Sequence, residues 1–296
     1  VKKVESYDET LEILAGAKSA TDNFFENVIV NDENLDIKKN RLELLQMFCK
    51  TYNNFIDFSK VEGVWLKKLI YRFGNQNSQS DSNLKDILGG KGANLAQMAK
   101  LGLPVPPGFT ISTPVCEYFY KNNKKIPKQI IKQTKKEINI VEKITKKKFG
   151  DLSNPLLISV RSGSRVSMPG MMDTILNLGL NDRTVIALKN KTDNGRFAKD
   201  SYRRFIQMYG NVVLGIESYF FEELIENYKL TKGVIQDTEL EEDDWDGLIK
   251  NFKSIVKEKT NKDFPQDVNE QLWGAIKAVF LSWNSKRAKT YRKINY

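Results

Sequence analysis

The chain has 296 residues, 40% of them hydrophobic and 28% charged, a balance typical of a folded globular protein large enough for two domains. It contains no histidine, so a Ser-His-Asp triad, a histidine-ligated zinc and a phosphohistidine carrier are all excluded within these residues. The formal net charge is +10, but residues 121–148 carry eleven lysines against two glutamates, and this one stretch accounts for most of the excess.

Two further compositional features narrow the class of protein. No stretch approaches the roughly 18 uninterrupted apolar residues that span a bilayer, and no secretory signal pattern opens the chain. We therefore expect a cytoplasmic protein without a membrane partner. Cys49 and Cys116 lie far apart in separate predicted helices and lack the spacing of metal ligands, so both are expected to be reduced and buried.

The first 63 residues contain two predicted helices, no glycine-rich loop and no strand pattern. One helix covers about residues 7–30. The second places apolar side chains on one face, which would pack on the first helix or on further structure. That face consists of Leu42, Leu45, Phe48, Tyr52, Phe55 and Ile56.

The same segment resembles the extreme C-terminus of the glycyl-tRNA synthetase β subunit, part of a helical anticodon-binding domain. The resemblance rests on residues 24–32, 40–45 and 57–63, the first of which reads Phe-Phe-Glu-Asn-Val-Ile-Val-Asn-Asp. It implies that any contact with nucleic acid is confined to residues 1–63. Because about 60 residues cannot form such a domain alone, we expect tRNA affinity to be weak and sensitive to salt.

A glycine-rich loop follows the first predicted strand, residues 67–74, and a predicted surface turn, residues 75–83. Residues 89–92 read Gly-Gly-Lys-Gly and precede a predicted helix over residues 93–100. Backbone N–H groups and the positive end of the helix dipole would converge there beside one ammonium group, which suits a polyphosphate. Glycine rather than Ser or Thr follows the lysine, so this is not a Walker A loop, and the motif alone leaves open a helix start with a solvated lysine.

The lysine-rich stretch is interpreted as a surface helix. Residues 121–148 show apolar side chains near helical spacing, with Pro127 early and Gly150 just past the end. Solvated lysines are preferred here over a nucleic-acid patch, since arginine and interleaved aromatic residues are missing.

The most informative run covers residues 161–182 and follows a predicted strand over residues 155–160. Its glycines, arginines and Met-Pro-Gly-Met-Met turn suit phosphate handling better than core packing. Arg161 leaves the end of the strand and offers a planar fork of donors that matches phosphate oxygens. Residues 168–173 are hypothesised to form a flap over the phosphates, and the alternative for the methionines is gap-filling in a core.

Three later segments are interpreted as structural. Arg203 and Arg204 lie in a predicted buried helix and are expected to be ion-pair partners rather than ligands. Seven acids over residues 237–246 precede and open a helix that ends in lysines, so matching to the helix dipole explains them without a metal. Residues 264–291 are predicted to form one further amphipathic helix.

The run at residues 161–182 closely resembles the signature of the pyruvate, phosphate dikinase family, in its N-terminal nucleotide-binding domain of the ATP-grasp type. Residues 88–95, 102–109, 200–210 and 264–292 agree with it in order and spacing, and the resemblance covers roughly residues 66–296. Phosphoenolpyruvate synthases share the Gly-Gly-Lys and Val-Arg-Ser elements but not Met-Pro-Gly-Met-Met-Asp-Thr, and they stand as the alternative.

The resemblance implies an α+β fold. A partial ATP-grasp nucleotide-binding domain with helical subdomains would occupy residues 64–296, preceded by a short all-α segment over residues 1–63. Lys91 matches the lysine that contacts ATP phosphates, and Arg161 matches the catalytic arginine that engages them. The other residues expected to bind the nucleotide are Gly90, Gly92, Ser162, Gly163, Met168, Gly170 and Asp173.

The implied cofactors are ATP and Mg²⁺, with the metal ligands expected beyond residue 296. The complete family enzyme converts ATP, phosphate and pyruvate to AMP, diphosphate and phosphoenolpyruvate through a phosphohistidine on a separate domain, and is expected to be a homodimer. We expect this chain, which lacks that histidine, to be an inactive fragment. The two resemblances meet near residues 64–67 without a Gly, Ser or Pro-rich linker, which leaves a fusion and a translation across two neighbouring genes as alternatives.

Overall fold

The computed structural model of the chain describes residues 18–28, 34–53, 69–74, 85–163 and 172–295, together with four isolated positions, Glu12, Gly16, Asp32 and Gly170. The chain divides into two compact units, Val1–Lys67 and Lys68–Tyr296. The described residues are mostly helical with a few short strands, which agrees with the predicted α+β class. Among the described helices, none is long and apolar enough to cross a membrane.

The first unit contains two helices in its described part, α1 (Lys18–Asn27) and α2 (Leu35–Asn53), which confirms the two helical patterns there. The side chain of Asn34 opens α2, because its Oδ1 accepts hydrogen bonds from the backbone N–H groups of Asp36 and Ile37. Of the predicted apolar face, Leu42 is exposed and Leu45 is half-buried. The side chains of Phe48, Tyr52, Phe55 and Ile56 lie outside the described residues.

The second unit begins with an antiparallel pair, β1 (Ile70–Phe73) and β2 (Gly108–Ile111), in which Ile70 lies opposite Ile111. Between these strands in the chain lies the helical segment α3 (Lys85–Lys100), which packs against both strands. The predicted first strand is therefore present. The predicted surface turn over residues 75–83 lies outside the described residues.

The lysine-rich stretch contains the end of α4 (Thr113–Lys121) and all of α5 (Lys128–Thr145). Apolar residues of α5 such as Ile130 are buried and the lysines are exposed, which confirms the amphipathic surface helix. Its end differs from the prediction. Lys146 adopts a left-handed conformation with φ 55°, and the chain then enters the short strand β3 (Lys148–Phe149) before it reaches Gly150.

The predicted strand over residues 155–160 is two strands. β4 (Pro155–Leu156) pairs in parallel with β3, and β5 (Ile158–Arg161) pairs antiparallel with β6 (Thr174–Leu178). The chain changes partner at Leu157, which local periodicity does not reveal. Arg161 is the last residue of β5, as the sequence predicts.

The helices that follow β6 form most of the second unit. They are α6 (Thr184–Thr192), α7 (Gly195–Val212), α8 (Ser218–Lys232), α9 (Glu242–Thr260), α10 (Val268–Ser282) and α11 (Lys286–Asn295), with one 3₁₀ turn at Asp237–Glu239.

The acid-rich segment leads into a helix, as predicted. α9 carries acidic residues in its first turn and Lys257 and Lys259 in its last, and it buries Trp245 and Phe252 on its apolar face. Each large apolar side chain buried in this way stabilises the fold by about 1.5–3 kcal/mol. The acids from Glu241 onward therefore open α9, while Asp237 and Glu239 lie in the 3₁₀ turn before it.

The single helix predicted over residues 264–291 is wrong, since α10 ends at Ser282 and α11 begins at Lys286. Ser285 accepts a hydrogen bond through its Oγ from the backbone N–H of Ala288 at 3.2 Å, and Arg292 donates to the carbonyl oxygen of Trp283 at 2.8 Å. These local bonds stabilise a break that apolar periodicity does not register.

Two hydrophobic clusters in the second unit meet at β5. Ile158 and Val160 pack against both clusters. Helix α10 contributes to both as well, since Ala275 belongs to one and Ile276 to the other. The strand that ends in Arg161 is thus fixed from two sides by packed apolar side chains.

Cys116 is the described member of the cysteine pair, and it is a free, half-buried thiol rather than a fully buried one. Burial raises its pKa to about 11, so the thiol is protonated and unreactive at neutral pH. The side chain of Cys49 lies outside the described residues.

Candidate functional site

The glycine-rich loop is a break within α3. Gly89 has φ 70° and ψ 169°, which interrupts the helix and which glycine adopts without the penalty of a side chain. A new helical run begins at Gly90, three residues before the predicted start at residue 93. The first turn of a helix leaves backbone N–H groups without carbonyl partners in that helix. Lys91 lies in this turn and is exposed.

Gly92 has a packing reason for being glycine. A β-carbon at this position would lie 2.9 Å from Oγ1 of Thr110 and 3.2 Å from the β-carbon of Leu88. Any larger residue would therefore crowd the side chain of Thr110 on β2. The sequence singled out Gly92 for ligand binding, and the structure adds a role in seating the loop on the sheet.

The two sequence motifs lie side by side. A β-carbon built on Gly163 would be 3.4 Å from the backbone carbonyl oxygen of Leu88, the residue just before the Gly89 break. The end of β5 and the start of the second helical run of α3 are therefore neighbours. Arg161 is exposed while Ser162 is buried, so consecutive side chains at this strand end point in opposite directions.

Strand β6 completes the strand end that carries the arginine. Thr174 lies opposite Arg161 in the antiparallel register, and Asp173 directly precedes it. The backbone N–H of Asp173 donates to Oγ of Ser282 at 3.4 Å, and the Asp173 carboxylate accepts from Arg287 at 3.0 Å.

The remaining predicted site residues are only partly described. Gly170 is exposed with φ 71°. Met168 lies outside the described residues, as do residues 169 and 171 of the hypothesised flap. The flap therefore stays a prediction.

The arrangement places two cations and a helix start on neighbouring segments. Lys91 and Arg161 are both exposed, and neither forms an ion pair with another residue of the described part of the chain. Two cations beside the start of a helix match the oxygens of a polyphosphate, because guanidinium and ammonium groups form strong charge-assisted hydrogen bonds with phosphate. The same residues offer no set of carboxylates for a metal, and the nearby Asp173 carboxylate already faces a guanidinium.

The other arginines that the sequence singled out are structural, as predicted. Arg203 is buried and pairs with Asp200 at 2.5 Å and with Asp237 at 3.3 Å. Arg204 is exposed and pairs with Asp200 at 2.9 Å.

Sequence reasoning missed Ser282 and Arg287 as neighbours of the candidate site. They contact Asp173 from 109 and 114 residues away in the chain. No local pattern marks them, because both lie in what reads as an ordinary amphipathic helix.

Comparison with known proteins gives a consistent result. The family model for the pyruvate phosphate dikinase AMP/ATP-binding domain matches residues 85–295, which include both motifs. The chain is 50% identical over 230 residues to pyruvate, phosphate dikinase of Rhizobium meliloti (strain 1021), covering 78% of this chain and 26% of that protein.

Two further relatives agree. Identity to pyruvate, phosphate dikinase of Clostridium symbiosum is 49% over 231 residues, covering 78% of this chain and 26% of that protein. Identity to the chloroplastic enzyme of Flaveria pringlei is 49% over 229 residues, covering 77% and 24%. The chain thus spans about a quarter of the length of the curated relatives it matches.

Proposed function

Because this chain belongs to the pyruvate, phosphate dikinase family, with the AMP/ATP-binding domain matched over residues 85–295, we propose that it binds ATP through its phosphates at the Gly89 break and the end of β5. The observation that carries the proposal is the closeness of Gly163 to Leu88: a β-carbon built on Gly163 would lie 3.4 Å from the Leu88 carbonyl oxygen, so the two phosphate-type motifs are neighbours. Neither motif alone distinguishes a ligand site from an ordinary helix start or a surface arginine.

The proposed roles follow from side-chain chemistry. Lys91 holds the phosphates as a point charge, and the backbone N–H groups of Gly90 and Gly92 add donors at the helix start. Arg161 contacts the reacting phosphates through its planar fork of donors, which makes it the proposed catalytic residue. Around it we place Ser162, Gly163, Met168, Gly170 and Asp173, the last at the edge of the site.

The activity of the whole enzyme is part of the proposal. It uses ATP, phosphate and pyruvate and yields AMP, diphosphate and phosphoenolpyruvate through a phosphohistidine carried on another domain, in a cytoplasmic homodimer. This chain has no histidine, so the phosphohistidine cannot form on it and we expect the isolated chain to lack the full activity. In this proposal its own residues bind and orient the nucleotide. Mg²⁺, when bound, would neutralise phosphate charge, and the described residues contain no cluster of three or more acidic or cysteine side chains that could hold it.

A second proposal concerns the first unit. We propose that residues 1–63 form a segment distinct from residues 64–296 and related to the tail of the glycyl-tRNA synthetase β subunit. The helices α1 and α2 and the separate compact unit Val1–Lys67 support a boundary of this kind. Any tRNA binding by this chain would come from that segment.

The test of the nucleotide site is calorimetric titration of ATP into the chain and three variants. We expect Lys91→Ala and Arg161→Ala each to weaken ATP binding by about tenfold to a hundredfold, the effect of losing a hydrogen bond to a charged group. Lys132→Ala is the matched control, since it removes an exposed lysine on α5 and should leave affinity unchanged. Equal affinities in all four proteins would contradict the proposed site.

A further inference from the structure

We propose that Arg287, on the C-terminal helix α11, positions Arg161 for nucleotide binding by holding Asp173 at the end of strand β6. The inference rests on the proposed function, because it takes Arg161 to be the residue that engages the phosphates. Arg287 is a positioning residue in this scheme and does not itself touch the nucleotide.

Asp173 is held at two points by two consecutive helices. Its carboxylate Oδ1 accepts a hydrogen bond from Nη2 of Arg287 at 3.0 Å, and its backbone N–H donates to Oγ of Ser282 at 3.4 Å. Ser282 is 3% exposed and donates its own hydroxyl proton to the carbonyl oxygen of Val279 at 2.8 Å. The buried serine therefore provides a fixed acceptor, and the arginine provides the charge.

The position of Asp173 bears directly on Arg161. Thr174, the next residue, is the strand partner of Arg161, and this is the last pair of the β5–β6 ladder. The preceding pair joins Val160 to Ile175, whose side chain is fully buried and so secured by the core. The last pair has no such anchor, because Arg161 is exposed and Thr174 is only half-buried. A short ladder frays at its end unless something beyond it is tied down.

The size of the expected effect follows from the exposure of the pair. The side chain of Arg287 is 61% exposed and that of Asp173 is 23% exposed. An ion pair this accessible to water adds little to overall stability. We therefore expect its loss to leave the unfolding midpoint nearly unchanged and to weaken ATP binding by about twofold to fivefold through a less ordered Arg161.

The test compares five forms of the full chain: the unchanged sequence, Arg287→Gln, Asp173→Asn, the reversed pair Asp173→Arg with Arg287→Asp, and Lys289→Gln. Lys289→Gln is the matched control, because it removes an exposed positive charge from the same helix two residues away. Two quantities are measured for each form, the amide hydrogen exchange of residues 158–161 without ligand and the affinity for ATP.

We expect faster exchange and weaker ATP binding in Arg287→Gln and Asp173→Asn, with both restored toward their original values by the reversed pair and both unchanged in the control. Weaker binding with unchanged exchange would overturn the inference, since the arginine would then act by touching the nucleotide. Unchanged exchange and unchanged affinity in Arg287→Gln would overturn it as well.

The two proposals fail separately. If the unchanged chain does not bind ATP while Arg287→Gln still accelerates exchange at residues 158–161, the proposed function is wrong and the structural anchor on Arg161 is supported. If the chain binds ATP in a manner that depends on Arg161 but not on Arg287, the proposed function survives and this inference does not.

Discussion

Arg203 and Arg204 are adjacent in the sequence and share Asp200 as a partner, yet their surroundings differ. Arg203 is 5% exposed, and its guanidinium lies 4.6 Å from the centre of the Trp245 ring and reaches Asp237 as well as Asp200. Burial lowers its pKa from the ordinary value of arginine, and the adjacent carboxylates oppose that shift. Arg204 points into water. Burial, rather than residue type, thus decides what each arginine contributes.

This contrast gives a prediction with a built-in control. We expect Arg203→Ala to lower the free energy of unfolding by about 2–3 kcal/mol, because it leaves carboxylates partly buried without their cation and a gap beside an indole ring. Arg204→Ala should lower it by no more than about 0.5 kcal/mol, as an exposed pair does. Urea denaturation of both variants measures the difference, and similar losses would show that the buried network is not a stabilising feature.

At the scale of elements, the start of α9 depends on Asp244. Its carboxylate accepts hydrogen bonds from the backbone N–H of Glu241 at 3.0 Å and from the Tyr228 hydroxyl at 3.0 Å, and it pairs with Lys232 at 2.6 Å. Asp244 thereby caps its own helix and joins it to α8. The hydrogen bond from Lys232 is the main reason that the pKa of this carboxyl lies below its ordinary value of 3.8.

We expect Asp244→Ala to destabilise the protein by about 1–2 kcal/mol at pH 7, the effect of losing a helix cap with charged partners. A carboxyl whose pKa is lower in the folded state stabilises the fold at pH values above its unfolded pKa. That contribution is lost as pH falls from about 3.8 through the lower folded value.

The stability difference between Asp244→Ala and the unchanged protein should therefore shrink below pH 3.8. Denaturation curves recorded from pH 7 downward measure it. Asp243→Ala, at an exposed position in the same first turn, is the control and should lose only about 0.3–0.5 kcal/mol through the helix dipole. A difference for Asp244→Ala that does not vary with pH would contradict the assigned pKa shift.

At the scale of the whole molecule, the chain consists of two compact units with different content. The two hydrophobic clusters, as far as the described residues show, are built from positions 69 and later. The candidate site lies entirely in the second unit, and the segment that we propose to be related to a synthetase tail lies entirely in the first.

We therefore predict that a chain beginning at Lys68 keeps the ATP affinity of the full chain within about twofold, because no described site or core residue is removed. Weak, salt-sensitive tRNA binding, where the full chain has it, should disappear with residues 1–67. ATP titration and a tRNA filter-binding assay at two salt concentrations measure the two effects. Loss of ATP binding on truncation would mean that the first unit supports the site.

Much of the fold was predictable wherever the governing interactions are local. The order of acids before lysines predicted α9, an apolar stripe predicted α5, and the glycine-rich run predicted a helix start close to Lys91. Caps, helix dipoles and periodicity all act within one or two turns, so a local pattern is enough to show them. The predicted strand over residues 155–160 and the predicted helix over residues 264–291 were each wrong in the same way. Both merge two elements whose separation depends on distant partners or on a few local hydrogen bonds.

In the candidate site, too, the local features were predictable and the contacts between distant residues were not. The sequence by itself determined that Lys91 lies in a glycine-rich segment at the start of a helix, that Arg161 ends a strand and that histidine chemistry is excluded. Only the tertiary structure decided that Gly163 rests against Leu88 and that Arg287 reaches back across 114 residues to Asp173. Such contacts depend on how all the elements pack together, so a local sequence pattern does not show which distant segment will lie beside it.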